Sequence, residues 1–149
     1  MMRKFAQYSL YLAWVIAIIS TLGSLFFSEV WKLPPCVLCW YQRIFMYPLT
    51  LLIPIAIVKK DKDNLPFFVL PLVVLGGLVA FYHNLLYYKI LPEAATPCIS
   101  GVSCTTKYFE WFGFITIPLL SLLSFIAIAI LMVVFVKYNS VPKQDEHGN

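Results

Sequence analysis

Charge is what this sequence has least of. Only 12% of its 149 residues are Asp, Glu, Lys or Arg, against about a quarter in an ordinary soluble domain. Together with 61% hydrophobic residues, that scarcity excludes a water-soluble fold and leaves a membrane protein. The net charge of +4 does not point to nucleic acid, because the basic residues are scattered at loop ends and no basic cluster carries aromatics between them. Nucleotide-binding motifs are missing. So is the haem-attachment signature, since Trp40 follows Cys39 where C-x-x-C-H needs histidine. Histidine is sparse, with two in the chain, and His83 is the only one outside the polar tail. A zinc site would therefore have to draw on Cys36, Cys39, Cys98 and Cys104 together, and the sequence is read as holding no metal. There is no internal repeat. No clear small-x-small cleavage site follows the first apolar run, so that run reads as a retained helix and not a signal peptide.

What is present is a set of four apolar runs, each close to the roughly 20 residues that cross a bilayer core. Spans are expected at about 5–28, 37–58, 65–88 and 111–136, with outer loops at 29–36 and 89–110, an inner loop at 59–64 and a polar tail at 137–149. The expected fold is an all-α integral membrane protein, a four-transmembrane-helix bundle in a single domain covering 1–149. Pro48 and Pro54 should kink the second span, and Pro118 lies inside the fourth. The Gly76-x-x-x-Ala80 spacing permits close helix approach. Arg3, Lys4, Lys59, Lys60, Lys62, Lys137 and Lys143 fall on one side, and Lys32, Arg43, Lys89 and Lys107 on the other. By the positive-inside rule both termini are cytoplasmic. All four cysteines then face the oxidising, extracytoplasmic side, where disulfides persist. Trp31, Trp40, Tyr41, Tyr87, Tyr88, Tyr108 and Trp111 form an aromatic belt at that level.

The stretch Pro34-Pro35-Cys36-Val37-Leu38-Cys39-Trp40-Tyr41-Gln42-Arg43 lies where a polar loop meets the second apolar run. Offsets of three and four share a helix face, so Cys36, Cys39 and Arg43 would form one stripe. The two prolines suit a helix start, and a helix N-terminus favours a thiolate. A pair one turn apart can close on itself. So small a loop gains little from chain entropy, which favours a redox centre over a staple. A structural disulfide and half of a zinc site are the alternatives.

Cys98 and Cys104, in the long outer loop, can reach a soluble partner that a pair at the membrane edge cannot. Two such pairs make a thiol–disulfide relay, unless the second merely tightens its loop. A relay needs a final acceptor, and for a small membrane protein without a nucleotide or haem motif that acceptor is a lipid-soluble quinone. Arg43 either stabilises a Cys39 thiolate and hydrogen-bonds a quinone oxygen or snorkels to the interface. His83, about 27 Å along its helix from Leu65, reaches the same level. It is either a quinone-oxygen partner or an ordinary interfacial histidine. Gln42, Trp40 and Asn84 could line a pocket there.

On these residues the sequence resembles the DsbB family of thiol–quinone oxidoreductases, in particular its Gram-positive BdbC-type (disulfide formation protein C) branch, from about residue 8 to 136. The features that carry the resemblance are Pro35-Cys36-Val37-Leu38-Cys39 with Arg43, the Cys98/Cys104 pair, Tyr82-His83, and Trp111-Phe112-Gly113 followed by Pro118. The resemblance implies a multi-pass protein of the bacterial cell membrane. It would reoxidise a DsbA-like (BdbD-type) extracytoplasmic thiol oxidase and so support disulfide formation in exported proteins. By the same resemblance the partner would attack a Cys98–Cys104 disulfide at Cys98, and the resulting dithiol would exchange with Cys36–Cys39. Cys39 would then donate to a membrane quinone, menaquinone being favoured over ubiquinone, with Arg43 and His83 beside the ring. The interval between Cys98 and Cys104 is much shorter than in the Gram-negative prototype.

Overall fold

The computed structural model describes residues 2–32, 34–59, 64–92 and 116–139. Four helices account for nearly all of them: α1 Met2–Glu29, α2 Val37–Lys59, α3 Leu65–Tyr87 and α4 Ile117–Asn139. Each is long and apolar enough to cross a membrane, and the described residues contain no strand. In hydrocarbon the backbone must satisfy its own polar groups, and a helix does so within one segment.

The helices pack in antiparallel neighbours, α1 on α2 and α4, and α3 on α2 and α4. Their inward residues recur at alternating intervals of three and four. These are Ala6, Leu10, Ala13 and Ala17 on α1; Met46, Leu49, Ile53 and Ala56 on α2; Val69, Val73, Gly76 and Ala80 on α3; and Phe125, Ile128, Met132 and Phe135 on α4. That spacing is the seam of a left-handed helical bundle. Large apolar side chains also cover the outside, Val58 at 80% and Phe67 at 77% exposure, which suits lipid and would be a liability in water.

Helix ends follow local chemistry. Pro34 and Pro35 precede α2, and Cys36 is its N-cap, its carbonyl accepting from Trp40 N at 3.1 Å. Thr116 caps α4, its hydroxyl accepting from Leu119 N at 3.3 Å. Pro118 is therefore in the first turn of α4, within the fourth apolar helix, where its missing N–H costs nothing. The part of the expected fourth span from 111 to 115 lies outside the described residues.

Pro54 cannot donate to the carbonyl of Thr50, one turn earlier. The indole of Trp14 on α1 donates to that carbonyl instead, at 3.1 Å, so a neighbouring helix satisfies what proline leaves open. Between α3 and α4 the approach is close. A Cβ on Gly76 would run into the Phe125 ring and meet Phe45 Cβ at 3.0 Å, whereas one on Gly77 would lie in ordinary contact, 3.7 Å from Phe125 Cβ. Gly76→Ala should therefore lower stability by about 1–3 kcal/mol through overpacking. Gly77→Ala should be neutral or stabilising by up to about 1 kcal/mol. Thermal unfolding of both variants in detergent micelles checks this, and equal effects would refute the close contact at Gly76.

Candidate redox-active site

The C-terminal half of α1, the start of α2, the end of α3 and the start of α4 meet at one end of the bundle. Cys36 sits at the N-cap of α2, and its Sγ accepts from Cys39 N at 3.3 Å. Sulfur here takes the place of the hydroxyl or carboxylate oxygen that usually caps a helix. Cys39 lies one turn on, with its Sγ 3.0 Å from that of Cys36. The two are free thiols, Cys36 buried and Cys39 half-buried, so a small side-chain rotation brings them to bonding distance.

His83 of α3 is 3% exposed. Its Nε2 stands 3.7 Å from Cys36 Sγ and its Nδ1 2.9 Å from Gln42 Nε2. The Gln42 amide and the Cys36 sulfur thus stand at the two ring nitrogens of His83. The hydrogen bond from Cys39, helped by His83 and the Cys39 backbone N–H and opposed by burial, holds the Cys36 thiol well below its ordinary value of 9.0.

Arg43 is 8% exposed and turns into the bundle. Its Nε donates to Ser24 Oγ at 2.8 Å and its Nη2 to the Ser24 carbonyl at 2.9 Å. Its Cζ lies 5.4 Å from the centre of the Trp40 ring. Among the described residues, two of the five N–H groups of the guanidinium are thus used, both on Ser24.

These groups open on a cavity of about 340 Å³ between the four helices, with Ser24, Cys39, Arg43, Tyr47, His83 and Pro118 in its wall. The lining is mainly apolar with a few convergent polar groups, the usual make-up of a small-molecule site. Cys36 and Gln42 also line it. Of the pocket candidates read from the sequence, Asn84 serves packing instead. Its Nδ2 donates to the Ala80 and Pro118 carbonyls at 2.8 and 2.9 Å, tying α3 to α4. Cys98 and Cys104 lie outside the described residues. Ser24 is the residue that sequence reasoning missed. Its signal was the Ser20-x3-Ser24-x3-Ser28 series, hydroxyls on one face of an otherwise apolar span.

The Cys36, Cys39 and His83 ligand atoms all lie within 4.8 Å of one another. From sequence, a metal site would need all four cysteines to converge, and none is expected. The described residues supply two sulfurs and one nitrogen, with the Arg43 cation lining the same cavity.

A four-helix membrane protein with a vicinal thiol pair held at a helix start, beside a histidine and a buried arginine, belongs to the thiol oxidoreductases. Sequence comparison narrows the class. The model of the family described as Disulfide bond formation protein DsbB matches residues 6–135, and the chain belongs to that family. It is 46% identical over 135 residues to Probable disulfide formation protein C 1 of Bacillus anthracis, covering 91% of this chain and 96% of the relative. It is 48% identical over 123 residues to Disulfide bond formation protein C of Bacillus subtilis strain 168, covering 83% and 88%. A Probable disulfide formation protein of Coxiella burnetii is 44% identical over 125 residues, covering 82% and 83%. No solved structure matches the chain.

The hydrogen bonding around Cys36 gives a measurable consequence. In a reduced Cys98→Ala/Cys104→Ala background, N-ethylmaleimide should modify Cys36 at pH values well below the ordinary thiol range, because the reactive thiolate persists there. The thiolate is lost only as pH falls through the lowered pKa. His83→Phe withdraws one of the groups that lower it, so the pH of half-maximal reactivity should rise. A pH–rate profile, with the modified peptide followed by mass spectrometry, checks this; an unmoved profile would remove His83 from the site.

Proposed function

We propose that this protein is a protein-dithiol:quinone oxidoreductase of the bacterial cell membrane, with both termini cytoplasmic and both cysteine pairs extracytoplasmic. The observation that carries the reading is the placement of Cys39 and Arg43 in the wall of one apolar cavity, with the Cys36 sulfur 3.0 Å from that of Cys39. The names of the relatives support the disulfide-forming role. The excess of basic residues at the termini and in the 59–64 loop supports the orientation.

In this reading a DsbA-like (BdbD-type) thiol oxidase arrives reduced. Its thiolate attacks the Cys98–Cys104 disulfide, and a mixed disulfide forms and resolves. The partner leaves oxidised and the loop pair is left as two thiols. That dithiol repeats the exchange with the Cys36–Cys39 disulfide. Each exchange breaks one S–S bond, forms one, and passes on two electrons and two protons. A quinone bound in the cavity supplies a two-electron, two-proton acceptor.

The residues around the cavity fit such a ring. The apolar wall takes an aromatic head group, and the N–H groups of Arg43 not turned to Ser24 are donors for a ring oxygen. Cys36 and Cys39 lose two electrons and two protons as their S–S bond closes. His83 has one ring nitrogen beside Cys36, and Gln42 holds the other. Menaquinone is the quinone we favour, from the resemblance to the Gram-positive branch of the family.

Cys36→Ser and Cys39→Ser should each abolish quinone reduction by a reduced thiol oxidase, measured as the loss of quinone absorbance. Full turnover in either would refute the reading. Arg43→Ala should raise the apparent KM for quinone about tenfold, the order expected for losing a hydrogen bond from a charged donor.

A further inference from the structure

Two polar side chains in the cavity wall have no part in the chemistry above. The hydroxyls of Thr21 and Tyr47 are buried and make no hydrogen bond among the described residues, and both residues line the cavity. Ser9, Ser28, Thr50 and Ser124 all return their hydroxyls to a carbonyl one turn back, at 2.7 to 3.3 Å. A buried donor left open marks a place for a ligand atom or an ordered water.

The helix register fixes where that place is. α1 and α2 run antiparallel, and Ser24 meets Arg43. Three residues back along α1 is Thr21 and four residues on along α2 is Tyr47, steps of about 4.5 and 6 Å in the same direction. The Trp14–Thr50 bond continues the same register deeper in the bundle. Cys39, Arg43 and Tyr47 are successive fourth residues on one helix face. On α1 and α2 the cavity thus has two polar levels, Ser24/Arg43 nearer the cysteines and Thr21/Tyr47 one turn further in.

From this spacing we infer that Thr21 and Tyr47 are the binding residues for the second oxygen of a para-quinone ring. The ring stands along the bundle axis, one carbonyl oxygen toward Arg43 and the other taking hydrogen bonds from the Thr21 and Tyr47 hydroxyls. One helical turn is close to the distance between the two oxygens of such a ring. The inference rests on the quinone reading above and adds the orientation of the ring and the residues at its far end.

Infrared difference spectra of the purified full chain with 2,3-dimethyl-1,4-naphthoquinone test it, together with the dissociation constant of that probe. In the unmodified protein both carbonyl stretches should lie below those of the free probe, as hydrogen bonding weakens each C=O. Tyr47→Phe and Thr21→Val, which keep side-chain shape, should return one stretch toward the free value. They should weaken binding about five- to tenfold while the other stretch stays lowered. Arg43→Ala should release the opposite carbonyl. If the probe binds with the Arg43-dependent shift but Tyr47→Phe/Thr21→Val changes neither spectrum nor affinity, this inference fails and the quinone reading stands. If the unmodified chain does not bind the probe, both fail.

Discussion

A guanidinium ion held among apolar helices is the constraint on which the site depends. Placing such a charge at the centre of a bilayer costs about 2.5–3.5 kcal/mol on insertion scales, and less near the edge. Arg43 reduces that cost by position and by partners: it is within two turns of the start of α2, and Ser24 takes two of its N–H groups. Ser24 lies on α1, so satisfying the charge sets how α1 lies against α2. Glu29 is the one carboxylate among the described residues, and it is not a partner of Arg43. Among the described residues, Arg43 therefore has hydroxyl and carbonyl oxygens and no carboxylate as its partners. Cys39 is one turn from Arg43 on the same helix, and the Cys36 sulfur has the α2 N-terminus, Cys39 and His83 around it. A site built this way prefers electron-rich occupants, whether a thiolate or a ligand oxygen.

Several features were legible in the sequence because they are local. The four apolar runs follow from the scarcity of charge, and the Cys36–Cys39–Arg43 stripe follows from helix geometry alone. The Gly76-x-x-x-Ala80 reading as packing also follows from spacing, and Gly76 does meet Phe125 across the α3–α4 contact. Other features depend on which helices become neighbours, and no local rule supplies that. The Arg43–Ser24 contact joins residues 19 apart on two helices. The Gln42–His83 pair joins residues 41 apart. The place of Pro118 within the first turn of α4 depends on the Thr116 hydroxyl, which caps the helix by accepting from Leu119 N.

The two ends of the bundle differ in kind. Away from the cysteines the seam is filled by alanine, leucine, valine, isoleucine, methionine and phenylalanine, with several positions wholly buried. At the cysteine end the facing residues include Ser20, Thr21, Ser24, Gln42, Arg43, His83 and Ser124, and a cavity replaces close packing. Hydroxyls and amides at the bundle interior carry a desolvation cost that a dense apolar core would not. That cost is met by contacts such as Ser20 to Ser124 at 2.9 Å and Asn84 to the Pro118 carbonyl, which also fix α4 relative to α1 and α3.

This asymmetry explains how an open, polar end can keep its geometry. The cysteine end has only a small apolar cluster, Cys36, Leu38 and Leu86, between α2 and α3. The packed half adds to the ties at that end: the Phe125 ring against Gly76 sets the α3–α4 distance, and Trp14 on the Thr50 carbonyl holds α1 against α2. From Thr50 it is less than two turns back along α2 to Arg43. A shift of α1 at Trp14 would therefore carry Ser24 away from the guanidinium and open the cavity wall. The prolines of α2 belong to the same arrangement. Pro54 frees the carbonyl that Trp14 takes, so an interruption in one helix's own bonding becomes the tie that positions its neighbour.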